Sequence, residues 1–274
     1  MKKTATAMER LIREGFFDTR EAALPYVMSG AVYCGGAQVT TGGQKVPLDK
    51  PMSVRGLDDR YLSKGGYKLE GAIADFGIDM RGRVCIDAGA CTGGFTDCLL
   101  KHGAALVYAV EVGFGQLAGT LSQDARVVNL EKTNLGDEKL LDLHPVPTLG
   151  SVDLSYLSLV KAVPQYRAIM RGQGELMCLV KPLFETDDPT ARRTGVLDPG
   201  CFPALLRRLC DTLDGQEDTR VVAVTHSPVT GNNGTHEFFL HVRFGNTDAP
   251  RVTDAAIAQA VARVMELKKY HKSV

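Results

Sequence analysis

From residue 67 onward the sequence alternates short apolar runs with amphipathic stretches, and this alternation leaves the chain few ways to fold. Candidate strands cover 83–88, 105–110, 126–130, 148–154, 174–180, 220–225 and 237–243, with helical stretches between most of them. Runs this apolar are buried on both faces, which calls for a mostly parallel sheet with helices on each side. Between the last two runs stand Ser227-Pro228 and Gly231-Asn232-Asn233-Gly234, a turn-rich stretch in which no helix fits. Those two strands should therefore pair as an antiparallel hairpin at the sheet edge. The expectation is an α/β fold: a seven-stranded, mostly parallel sheet with an antiparallel last strand. Residues 253–269 read as an amphipathic helix, with Ile257, Val261, Val264 and Met265 on one face.

The first 56 residues have another character. Glu9 to Phe17 reads as a helix, and a second one starts at Asp18 or Thr19 as N-cap and ends at Gly30. Small strands and paired glycines follow, which together make a small α+β module. Residues 57–66 are polar and end in Gly65-Gly66, so they read as a linker to a larger domain spanning 67–274. The net charge is zero, but residues 1–56 and 251–274 each carry +3 and the middle carries −6. A uniformly basic nucleic-acid binder is excluded, whereas basic ends remain compatible with a polyanionic partner. No run of about 18 apolar residues exists to cross a membrane. No apolar stretch follows the first basic residues, so no secretory signal is expected. The seven cysteines are scattered without C-x-x-C spacing, which suggests neither a metal site nor a disulfide framework and suits a reducing cytoplasm.

The most informative stretch is Asp87-Ala88-Gly89-Ala90-Cys91-Thr92-Gly93-Gly94-Phe95-Thr96. An apolar strand ends in an acid, a glycine loop follows, and a helix begins. Glycines allow close backbone approach, and a helix start offers free N–H groups. The spacing is not Gly-x-Gly-x-x-Gly, and an acid beside the first turn would repel a pyrophosphate. The pattern suits a cationic or zwitterionic ligand with an adenosine ribose, such as S-adenosyl-L-methionine. The next strand ends at Glu111, about 20 residues on, where a carboxylate can accept hydrogen bonds from ribose hydroxyls.

In an open parallel sheet, ligands bind beyond the carboxyl ends of the strands. Asp153 ends the fourth strand and Lys181 the fifth, while Glu237 starts the antiparallel seventh on the same edge. Lys68 opens the helix before the first strand and can reach over. Two lysines and two carboxylates could thus converge. An alcohol is a poor nucleophile until its proton is removed or polarised, and a desolvated lysine with a lowered pKa can serve as the base.

Residues from about 61 to 244 resemble the TlyA-type (haemolysin A) ribosomal RNA 2'-O-methyltransferases, relatives of the FtsJ-type enzymes. The likeness rests on Ser63 to Glu70, Asp87 to Cys98, Val112 to Leu117, Glu131 to Asn134, Val152 to Tyr156, Leu179 to Glu185, and Ser227 to Glu237. It implies a Rossmann-like methyltransferase fold and a Lys68-Asp153-Lys181-Glu237 catalytic tetrad. It also implies S-adenosylmethionine held by Asp87, the Gly89–Phe95 loop with Thr96, Glu111 with Val112, Asn134 and Asp153. The first 56 residues are similar to the family's small RNA-binding module of the ribosomal protein "S-four" type, through Thr19 to Ala23 and Ser29 to Val32. The expected partner is ribosomal RNA or a ribosomal subunit, with phosphate contacts from Arg10, Arg13, Arg20 and Lys64.

The expected chemistry is methyl transfer to a ribose 2'-hydroxyl, with Lys181 accepting or polarising its proton. Amino-group methylation fits less well, because the turn after strand four is Asp153-Leu154-Ser155-Tyr156 and lacks a Pro-Pro pair. Carbon methylation through a Pro-Cys nucleophile has no such dipeptide to use. Two other classes compete: a non-catalytic RNA-binding or ribosome-assembly factor, and a membrane-active cytolysin.

Overall fold

The computed structural model describes residues 4–17, 19–55, 60–155, 157–231, 234–245 and 248–267. Asp18, linker residues 57–59, Tyr156, Asn232, Asn233 and the expected last helical residues 268–269 lie outside the described residues.

The N-terminal segment holds β1 (Thr4–Thr6), α1 (Ala7–Arg13), α2 (Arg20–Met28), β2 (Val32–Cys34), β3 (Ala37–Gln38), β4 (Lys45–Pro47) and β5 (Met52–Val54). Helix α1 starts two residues before the expected Glu9, because Thr6 and Glu9 form a reciprocal capping box. It ends at Arg13, well short of Phe17, since Gly15 turns the chain with φ +74°. Thr19 caps α2 by accepting from the Ala22 N–H. Strands β1 and β4 pair, as do β3-β2-β5, around a core of Leu11, Val27, Val32 and Val46.

The remaining chain carries α3 (Lys64–Phe76), β6 (Val84–Ala88), α4 (Gly94–Lys101), β7 (Leu106–Glu111), α5 (Gly119–Ser122), β8 (Val127–Glu131) and β9 (Leu149–Val152). It continues with α6 (Leu159–Ile169), β10 (Gly174–Val180), α7 (Pro182–Glu185), α8 (Pro189–Thr194), α9 (Phe202–Asp214), β11 (Thr219–His226), β12 (Phe238–Phe244) and α10 (Asp254–Met265). The sheet order is β11-β12-β10-β9-β6-β7-β8, and β12 alone runs against its neighbours. Strand period places alternate residues in opposite cores. Phe238 and Leu240 pack with α6 and α9 residues such as Tyr166 and Leu206, while Phe239 packs with Leu69, Phe95 and Leu99 of α3 and α4. Strand order reverses at β6, which pairs with β7 on one side and β9 on the other. The crevice at this switch point is where the glycine loop leaves the sheet.

The expected linker ends earlier than residue 66. Ser63 accepts from the Gly65 N–H and caps α3, so Lys64, Gly65 and Gly66 form the first helical turn. Gly66 is small because a Cβ there would sit 2.3 Å from Cγ of Tyr61. Among the described residues no helix is long and apolar enough to cross a membrane.

Candidate active site

Four elements deliver the tetrad to one edge. Lys68 lies in the second turn of α3, Asp153 follows β9, Lys181 follows β10, and Glu237 precedes β12. Because β12 is antiparallel, its first residues meet the last residues of β10, with Phe238 opposite Val180. Lys68 and Glu237 form a buried ion pair, Nζ to Oε2 2.5 Å, with side chains 7% and 5% exposed. Lys181 pairs with Asp153 and lies 3.4 Å from the Ser155 hydroxyl. All four side chains line one cavity of about 260 Å³ with Gly89, Ala90, Cys91, Thr92, Gly94 and Phe95 of the glycine loop.

The electrostatics differ from expectation at Lys181. Burial acts to lower its pKa, but the carboxylates of Asp153 and Glu237 outweigh burial and hold it above the ordinary lysine value. In the protein by itself Lys181 is therefore an ammonium, not a pre-formed base. Asp153 is the complement. Burial would raise its pKa, yet Lys181, Lys68 and Lys64 together hold it below the usual carboxylate value.

The glycine loop is braced from below. Asp87 is fully buried and accepts from the Thr96 hydroxyl at 2.7 Å and the Ser151 hydroxyl at 2.8 Å. Asp87 and Thr96 thus sit beneath the loop and set its shape; neither lines the cavity. Burial pushes the Asp87 carboxyl up to about 6 against those two hydrogen bonds. A folded-state pKa above the unfolded value gives stability that is complete below about pH 4 and lost as pH rises through about 6. Between pH 4 and pH 8 that loss amounts to about 2 kcal/mol. Asp87→Asn should flatten this part of the pH profile in urea titrations; a profile unchanged from wild type would assign it to other groups.

Gly89 turns with φ +83°, and a Cβ there would sit 2.2 Å from the Asp153 carbonyl oxygen. Neither the backbone angle nor the space admits alanine. Gly89→Ala should cost at least about 1 kcal/mol in stability. It should also weaken S-adenosylmethionine binding tenfold or more, read by calorimetry, on the order of 1.4 kcal/mol.

Glu111 ends β7 and accepts from the Cys91 N–H at 3.0 Å and the Gly113 N–H at 2.7 Å, tying that strand to the loop. Each carboxylate oxygen keeps a further lone pair for a hydroxyl donor. Val112 is exposed beside it, and Asn134 lies beyond β8, its side chain accepting from the Gly136 N–H. Neither lines the cavity, so the structure leaves both on the open edge next to β7 and β8. Lysine 132 stacks over the exposed Phe114 ring at 4.5 Å, a pair the sequence reading did not single out. The close-approach loop, the carboxylate at the end of β7 and the anionic Asp153 suit a ligand with ribose hydroxyls and a positive charge. S-adenosylmethionine is such a ligand.

One expected phosphate contact is corrected, and a second lies within the cavity. Arg10 is 3% exposed; its guanidinium donates to Glu14 at 2.5 Å and to the Pro47 carbonyl, clamping α1 to β4. Lys64 is 5% exposed and lines the cavity, donating to the Gly231 carbonyl at 3.2 Å. Arg13 and Arg20 do stand exposed. The sequence reading also missed one wall of the cavity, formed by Arg13 at the end of α1 with Glu14 and Gly15. This wall is a contact between distant segments, so no local pattern signals it.

The TlyA 16S/23S rRNA (cytidine-2'-O)-methyltransferase of Mycobacterium tuberculosis is 35% identical over 89% of this chain and 91% of its own length. YqxC of Bacillus subtilis, described as a candidate rRNA methyltransferase, is 36% identical over 85% and 84%. A solved structure from Streptococcus thermophilus, described as a candidate hemolysin, superposes with a TM-score of 0.81 at 32% identity over 97% of both chains. Residues 61–244, which carry all four tetrad members and the glycine loop, match the FtsJ-like methyltransferase family. The sheet, the loop at its switch point and these relatives agree, and the chain belongs to the FtsJ-like methyltransferase family.

Proposed function

We propose that this enzyme transfers a methyl group from S-adenosylmethionine to a ribose 2'-hydroxyl of ribosomal RNA. The observation that carries the reading is the convergence of two lysine–carboxylate pairs and the glycine loop on one cavity. When bound, S-adenosylmethionine supplies an electrophilic methyl on a cationic sulfur. Lys181 enters as an ammonium and can donate to the incoming hydroxyl oxygen, fixing its direction. A second cation beside it lowers the Lys181 pKa, so the ammonium gives its proton to solvent and the neutral amine can then take the hydroxyl proton as the oxygen is methylated. Asp153 keeps Lys181 aimed, and the buried Lys68–Glu237 pair adds a second fixed cation and carboxylate to the cavity lining. Alignment of the oxygen with the carbon supplies much of the rate.

The N-terminal module is proposed to grip the RNA, with Arg13 and Arg20 at phosphates and salt-sensitive affinity. Arg13 belongs both to this module and to the cavity wall, so its phosphate would lie close to the reacting ribose. The test is transfer of labelled methyl to ribosomal RNA or subunits by wild type and by Lys181→Ala. Alkali cannot cleave next to a methylated 2'-oxygen, so label in alkali-resistant dinucleotides reports the expected product. Label released in mononucleotides would point to base methylation and overturn the reading.

A further inference from the structure

Beyond the cavity, one carboxylate joins the two chain segments that carry Asp153 and Lys181. After Asp153 the chain runs five residues to Ser158, the N-cap of α6. After Lys181 it runs through α7 to Glu185. Glu185 Oε2 accepts from the Ser158 hydroxyl at 2.6 Å, and Oε1 accepts from the Leu159 N–H at 2.8 Å. The Ser158 oxygen accepts in turn from the Val160 N–H at 3.3 Å. A carboxylate on the first N–H groups of an eleven-residue helix is also favoured by the helix dipole. The Glu185 carbonyl accepts from Arg208 at 2.8 Å, which anchors α7 to α9.

These contacts close a ring. The Asp153–Lys181 ion pair shuts one end and Glu185 with Ser158 shuts the other, with a short arm of chain on each side. We propose that Glu185 is a positioning residue that holds Asp153 and Lys181 at pairing distance. Glu185 does not line the cavity, so its effect on the chemistry runs through that pair. Burial raises the Glu185 pKa, and Ser158, Leu159, Arg192 and Arg208 oppose burial, as expected of an enclosed carboxylate with firm donors. The inference rests on the reading of Lys181 as the group that handles the hydroxyl proton.

The test compares Glu185→Gln, Ser158→Ala and Lys181→Ala in the full chain. Measured are kcat against pH, KM for RNA, the dissociation constant for S-adenosylmethionine, and thermal midpoint. Glu185→Gln should lower kcat tenfold or more while KM and the dissociation constant move less than twofold. Its ascending pH limb should also shift to lower pH, because Asp153 no longer holds the Lys181 pKa up. Ser158→Ala removes the hydroxyl contact to Glu185 together with the cap on the Val160 N–H, leaves the Leu159 N–H contact in place, and should shift the limb the same way with a smaller loss of rate. That variant carries the test should Glu185→Gln fail to fold. An unmoved pH limb, or rate losses that only follow the unfolded fraction, would overturn the proposal. Full activity in Lys181→Ala would instead overturn the reading beneath it.

Discussion

Lys181→Ala is expected to lower kcat by about 10²–10⁴-fold, the range that general acid–base groups contribute. The side chain stands where β10 ends, paired with Asp153 and 3.4 Å from Ser155, so its loss removes the only one of these three groups able to carry a proton to or from an alcohol as a cation–amine couple. Binding of S-adenosylmethionine should survive, because the glycine loop and Glu111 are untouched. Lys181→Arg should be nearly as inactive: a guanidinium keeps the charge but does not become a base in the accessible pH range. In the wild type kcat should rise with pH, since the Lys181 pKa is held high by Asp153 and Glu237. The decisive readout is single-turnover methyl transfer with both ligands saturating. A rate within threefold of wild type for Lys181→Ala would sink the assignment.

Glu237→Gln carries the largest expected cost in stability. Its carboxylate faces Lys68 at 2.5 Å with both side chains almost fully enclosed. Removing one partner strands a buried ammonium, at a cost of about 3–5 kcal/mol. In a domain of this size that corresponds to a thermal midpoint lower by on the order of 10 °C. The double variant Lys68→Met with Glu237→Gln should recover most of that loss, because no lone charge remains. Its methyl transfer should stay impaired, since one side of the cavity has lost both charges. Urea midpoints for the two singles and the double close the cycle. A single-variant loss below about 1 kcal/mol would mean that water reaches the pair and that it behaves like a surface bridge.

The sheet was readable from the sequence because its strands are apolar throughout, and buried runs of that kind leave little choice of partner layer. All seven expected strands are present, each within two residues of its expected bounds, and the antiparallel pairing of β11 with β12 follows from the absence of a helix between them. The start of α3 was misplaced because Gly65-Gly66 looks like a linker locally; the reason for those glycines is contact with Tyr61 and the glycine loop, which only the folded chain displays. Arg10 and Lys64 read as phosphate contacts because charge is visible in a sequence, whereas enclosure beside Pro47 or Gly231 is not. The Lys181 pKa was expected to fall because burial alone lowers it. Two carboxylates arriving from β9 and β12 reverse the sign, and their sum depends on distances that spacing along the chain does not supply.

The Arg13–Gly15 wall has a consequence for how substrate size governs turnover. If the N-terminal module grips RNA as proposed, a cavity with one side supplied by that module cannot treat docking and reaction as separate events. Free energy released when distant nucleotides dock can go into squaring the ribose against the methyl donor. Fragments that carry the right nucleotide but lack its distant neighbours would then react slowly even at saturation, and the selectivity of the enzyme would lie in speed as much as in grip.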